Sequence, residues 1–200
     1  MHLHSVQDES IDSVVDSADS SDATTWEAFK AVKWHALTVL SVNCMSIAVF
    51  PPLTVLVVPE HPNTSLLSGR FFIPVTNFLM FGISDFVGRW ISGQVPLPMD
   101  KPKLLFFLSL GRWIGVPLLM LCNAHPRQYL PVVFKNEVVF VFLITIVGLS
   151  NGYLYINAMM NGPMFVAPSM RNRAGFVLVL FLGLGVALGS LTSNIVLRLL

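Results

Sequence analysis

Two hundred residues with 54% apolar and only 12% charged side chains do not compose an ordinary soluble domain, in which about a quarter of residues are charged. A chain this short exposes much of its surface even when folded, so the apolar excess calls for a lipid solvent. The formal net charge of +1 hides an asymmetry: seven of the eleven acids fall in the first 27 residues, an acidic head on an apolar body.

In chain order, residues 1–33 read as an acidic, Ser/Asp-rich cytoplasmic segment, expected to be disordered because it has too few apolar residues to offset ordering. Serines beside acids would suit an acid-directed kinase, although an unmodified solvated loop is the plainer reading. The start shows no basic n-region followed by an apolar core, so targeting is expected to come from the first span itself. Five apolar stretches follow, at about 36–58, 71–93, 104–123, 138–160 and 174–197, each near the 20 residues that cross a bilayer. They predict an all-α integral membrane protein with a five-helix bundle over 34–200. Pro51, Pro52, Pro74 and Pro117 lie inside these spans and are expected as tolerated kinks. Continuous apolar runs, without ten-residue alternation, exclude a β-barrel.

Basic residues set an orientation. Lys30, Lys33, Lys101, Lys103, Arg171 and Arg173 fall on one side of the predicted membrane, against Arg70, Arg127, Lys135 and Arg198 on the other. The N-terminus is therefore expected in the cytoplasm and the C-terminus outside. The sequon Asn63-Thr64-Ser65, a glycosylation candidate at Asn63, falls on the outer side. Carriers are commonly built from paired helical bundles, so an odd count of five spans suggests a fragment of a larger carrier.

Charges within spans cost about 2.5–3.5 kcal/mol each on insertion scales. Asp85 and Arg89, four residues apart, share a helix face. They form either a self-neutralising pair, with Arg89 reaching for the membrane edge, or a polar pair lining an aqueous cavity. Arg112 is a structural intramembrane charge; it either pairs with Asp85 across spans two and three or needs a partner outside this sequence. Ser150, Asn151, Tyr153, Tyr155 and Asn157 of span four are expected to make interhelical hydrogen bonds, and Gly183, Gly185 and Gly189 of span five a close-packing face. Cys44 and Cys122 sit in apolar runs as buried thiols. No spacing suits a metal, a cofactor, soluble catalysis or nucleic acid.

The second span, RFFIPVTNFLMFGISDFVGRW, resembles the signature of the equilibrative nucleoside transporters, with the pattern F-x-x-x-D-x-x-G-R at Phe81, Asp85, Gly88 and Arg89. SIAVFPPLT, GRWIGVPLLMLCNAHPRQYLPVVF, LSNGYL and LGLGVALGS keep the family's order from about Trp34 to the end. The resemblance implies spans seven to eleven of an eleven-span carrier, in the C-terminal bundle of a major-facilitator-like fold. It implies nucleoside contacts at Asp85 and Arg89, aromatic cavity positions at Phe50 and Phe78, and an apolar contact at Val186. Gly82 departs from the Asn that members often carry there. The expected function is facilitative transport of nucleosides, with nucleobases as a related class, at the plasma membrane and without a cofactor. The expected partners are the lipid bilayer and an N-terminal half or a second copy. The alternative is a non-transporting half-bundle that pairs with or regulates an intact carrier.

Overall fold

The first helix ends where two consecutive prolines remove two backbone donors and disfavour helical geometry in the preceding residue. In the computed structural model α1 spans His2–Val49, and a turn leads into a short 3₁₀ segment, Thr54–Leu56. Pro51 and Pro52 therefore terminate α1 while lying inside the apolar stretch Thr25–Leu56. The structure describes residues 2–60, 69–98, 101–127 and 129–200, with side chains described from residue 25 onward. The acidic head continues α1 by its backbone, and the span starts earlier than predicted: Ala28 and Val32 are already fully buried.

Span two is built from two pieces, a π-helical segment Ile73–Leu79 and α2 (Met80–Gln94). Pro74 lies at the start of the first piece, where its missing N–H has no helical partner to lose. Span three is α3 (Pro102–Gly111), a 3₁₀ turn Arg112–Ile114 and α4 (Gly115–Met120). Its break has an identifiable cause. Pro117 cannot donate to the carbonyl of Trp113, and its ring would crowd that carbonyl in a regular helix. Spans four and five are α5 (Glu137–Met164) and α6 (Arg171–Leu199). Among the described residues there is no strand, only isolated bridges joining Val57 to Ala124 and Cys122 to Phe134.

Among the described residues four segments are long and apolar enough to cross a membrane: Thr25–Leu56, Pro102–Met120, Glu137–Met164 and Pro168–Leu199. The first is the axis of the bundle. More than half of its most apolar window is buried (56%), against about a third or less for the others, and α1 packs on α6, α5 and α3. α2 packs on α5.

Glycines set both close crossings. A side chain at Gly185 would meet the Leu40 carbonyl at 2.7 Å, and one at Gly189 the Cys44 carbonyl at 2.7 Å. Gly183 faces open space, so the predicted small-residue face of span five reduces to two positions. Gly88 of α2 and Gly148 and Gly152 of α5 make the second crossing, backbone against backbone. That leaves large apolar side chains such as Phe86, Trp90, Phe107, Phe142, Phe176 and Leu191 pointing outward, as a lipid solvent allows and water does not.

The linkers at each end are pinned by polar groups. Tyr153 Oη donates to the Val95 carbonyl (3.0 Å), and Asn157 Oδ1 accepts from the Leu97 amide (2.8 Å), holding the α2–α3 connection on α5. At the opposite end the Arg127 guanidinium donates to the carbonyls of Met120, Cys122, Ala124, Leu130 and Pro131. It thereby ties together carbonyls at the end of α4 and in the following loop, of which that of Cys122 also accepts from the Ala124 amide.

Candidate functional site

The α2–α5 crossing positions the charged pair. Because Gly88 and Gly152 let the two backbones touch, side chains one helical position away reach across the interface. Asp85 Oδ2 accepts from Arg89 Nε at 2.8 Å within α2. Its other oxygen, Oδ1, accepts from Asn151 Nδ2 of α5 at 2.7 Å. Asn151 Oδ1 in turn accepts from Ser46 Oγ of α1 at 2.6 Å. One chain of hydrogen bonds therefore runs through three helices: Arg89, Asp85, Asn151, Ser46.

Its two ends differ in exposure. The Asp85 side chain is 15% exposed and that of Arg89 44%, so the carboxylate is fixed while the guanidinium faces outward. Arg89 also lies over the Tyr155 ring, 5.3 Å from its centroid, a cation–π contact that holds the planar group in one orientation. Arg89 engages Asp85 through Nε, which leaves its Nη donors available.

Arg112 has no ion-pair partner among the described residues. It forms no ion pair with Asp85, and it finds its acceptors within this chain. Nε donates to Ser150 Oγ (2.9 Å), Nη1 to the Val42 carbonyl (3.3 Å), and Nη2 to Ser46 Oγ and the Val147 carbonyl (both 3.1 Å) and more weakly to Asn151 Oδ1 (3.4 Å). The physical reason is its place at the 3₁₀ break in span three. From there the side chain enters the junction of α1 and α5, where a five-donor fork meets hydroxyls and carbonyls. Its hydrogen bonds join it to the Asp85 chain through Ser46 and Asn151.

Next to this polar chain is an aromatic group. The ring centroids of Phe50 and Phe78 are 5.4 Å apart in an edge-on arrangement, and Phe50 stacks on Phe81 at 4.1 Å. Phe50 follows Ser46 by one turn of α1 and Phe81 precedes Asp85 by one turn of α2, so the aromatic and polar groups occupy adjacent levels of the same helix pair. Val186 is not drawn into this group by helix packing: α6 packs chiefly on α1, and the side chain is 37% exposed. Gly82 is also exposed, with nothing near its missing side chain. Asn63 lies outside the described residues.

Sequence reasoning singled out Asn151 as an interhelical group but not as the link to Asp85, and it did not select Ser46 or Phe81's stacking. A usable signal existed. Gly148 and Gly152, four apart in span four, form a small-xxx-small pattern that marks a close helix crossing.

Comparison with known proteins fits this architecture. The family model described as nucleoside transporter matches residues 4–198. The chain is 37% identical to equilibrative nucleoside transporter 1 of Homo sapiens over 188 residues, covering 94% of this chain and 41% of that protein. It is 34% identical to equilibrative nucleoside transporter 3 of Rattus norvegicus, over 71% of this chain and 30% of that protein. Against equilibrative nucleoside transporter 2 of Homo sapiens the identity is 32%, over 85% of this chain and 37% of the relative. The chain thus spans well under half the length of these relatives.

Proposed function

Because this chain belongs to the equilibrative nucleoside transporter family, a family of membrane carriers and not of enzymes, we propose that it supplies one wall of a facilitative nucleoside pathway. The observation that carries this reading is the Arg89–Asp85–Asn151 chain beside the Phe50, Phe78 and Phe81 rings. A nucleoside joins a flat apolar base to a ribose with vicinal hydroxyls, and the two groups match its two halves. Each Asp85 oxygen holds one protein donor and keeps a lone pair for a ribose hydroxyl, while the Arg89 Nη groups donate to ribose or base oxygens. The base packs against the phenylalanine cluster.

Passive transport follows if a second bundle closes the other side of the cavity and the two bundles rock about the bound nucleoside. In this reading the chain sits in the plasma membrane, its N-terminus cytoplasmic and its C-terminus outside. To test it, residues 34–200 replace the matching region of the human relative, and saturable uptake of radiolabelled uridine and adenosine is measured with surface labelling. Asp85→Ala is expected to abolish uptake while leaving surface level unchanged. Normal saturable uptake by that variant sinks the assignment.

A second reading, a half-bundle that acts by pairing with another, draws on the apolar face of span two. Phe78, Leu79, Ile83, Phe86 and Trp90 are each about half exposed or more, so this face suits another bundle as well as lipid. Coexpression with the six N-terminal spans of a relative separates the readings: uptake restored only by that addition favours a split carrier.

A further inference from the structure

Four lysines that are distant in sequence meet at one end of the bundle. Lys30 and Lys33 of α1 and Lys101 and Lys103 at the start of α3 line a pocket of about 850 Å³. Among the described residues the ion pair is Asp85 with Arg89, so none of the four lysines has one, and Asp100, which precedes Lys101, lies outside the described residues. Like charges gathered around one space repel unless an anion sits among them. Trp34 forms part of the wall, with the Lys33 and Lys103 ammonium groups each 5.9 Å from its ring centroid. α3, ten residues long, opens at this pocket without a side-chain cap, so its N-terminal dipole adds to the positive field.

The pocket continues into an apolar track. Leu104, which lines it, is followed on the same helix face by Phe107 and Leu108, and the three are 42%, 61% and 43% exposed. Phe106 packs against Trp34 at 5.5 Å, supporting the wall between pocket and track. The lysines lie near the starts of spans one and three, toward one membrane surface, where a tryptophan is also favoured. A soluble phosphate would use the lysines and leave the apolar track empty. An amphiphile uses both.

We propose that this pocket is a headgroup site for an anionic phospholipid, its acyl chain lying along the exposed face of α3. Basic pockets between transmembrane helices hold such headgroups by direct charge pairing. The site is separate from the Asp85 chain, whose member on α1, Ser46, lies about 20 Å along the helix from Lys33.

The test is native mass spectrometry of the purified 200-residue chain in detergent. It is offered phosphatidylinositol 4-phosphate or phosphatidylcholine of the same acyl composition, and then soluble glycerophosphoinositol 4-phosphate as competitor. Retention of the phosphoinositide over phosphatidylcholine is expected. At roughly five-fold per lysine, Lys33→Gln with Lys103→Gln should weaken retention by about 25-fold. Lys135→Gln with Arg198→Gln removes the same charge elsewhere and should leave it unchanged. Equal retention of phosphatidylcholine, or equal losses in the two double variants, overturns the proposal. Displacement by the soluble headgroup at a concentration equal to the lipid overturns the acyl-track half of it, and a soluble phosphate becomes the ligand.

Discussion

Replacing Gly152 with alanine tests the helix crossing on which the site depends. A Cβ at residue 152 would lie 2.9 Å from the Arg89 amide nitrogen and the Asp85 carbonyl carbon, and nearer still to the Asp85 carbonyl oxygen. These neighbours are backbone, so no side-chain rotation relieves the contact. The carbonyl oxygen sets the requirement, and the helices must separate by more than about 1 Å to reach ordinary van der Waals distance. That movement stretches the 2.7 Å bond between Asn151 and Asp85 past the limit of good geometry, about 3.2 Å, and breaks it. Overpacking costs about 1–3 kcal/mol, and a backbone contact belongs near the upper figure. Alanine's better helix propensity returns about 1 kcal/mol, leaving a net loss of about 2 kcal/mol. For a chain of this size the apparent Tm falls by about 4–8 °C. The control is Gly82→Ala, where nothing lies within 4 Å and only the propensity gain of about 1 kcal/mol applies. Thermal unfolding of both variants in detergent, followed by tryptophan fluorescence, gives the comparison. A Gly152→Ala protein that melts at or above the wild-type temperature refutes the reasoning, as does a parallel fall in both variants.

Asn151→Leu should uncouple Asp85 from Ser46 and Arg112. In a double-mutant cycle with Ser46→Ala, thermal stability should show a coupling of about 0.6–1.7 kcal/mol; strict additivity counts against the hydrogen-bond chain. Asn77 is fully buried in the π-helical segment with both amide atoms unpartnered. Asn77→Leu, of similar size, should raise stability by about 1–3 kcal/mol, and a lower melting temperature would show that the amide has a partner. Arg127→Leu strips the donors from five loop carbonyls and should cost about 2–3 kcal/mol, read by thermal unfolding and by protease cutting between α4 and α5.

The amino-acid sequence by itself determined the membrane character, the helical class and the five apolar stretches. These follow from composition and run length, which depend on neither neighbours nor register. Asp85 and Arg89 were legible as a pair because four residues is one helical turn, and the span-four polar groups were legible because a polar group among apolar ones needs a partner.

Only the tertiary structure decided which partner each group takes. The four-residue spacing of Gly148 with Gly152 and of Gly185 with Gly189 marks candidates for a close crossing, but only the structure shows which backbone each one meets. Arg112 could not be matched to acceptors on α1 and α5, because carbonyls carry no sequence signature and their availability depends on a break in another span. The same holds for the lysine pocket. Residues 30, 33, 101 and 103 share a membrane side by the charge rule, but only the packing of α3 on α1 brings them around one space. Periodicity fixes which face of a helix a residue occupies; the crossing of two helices fixes what that face meets.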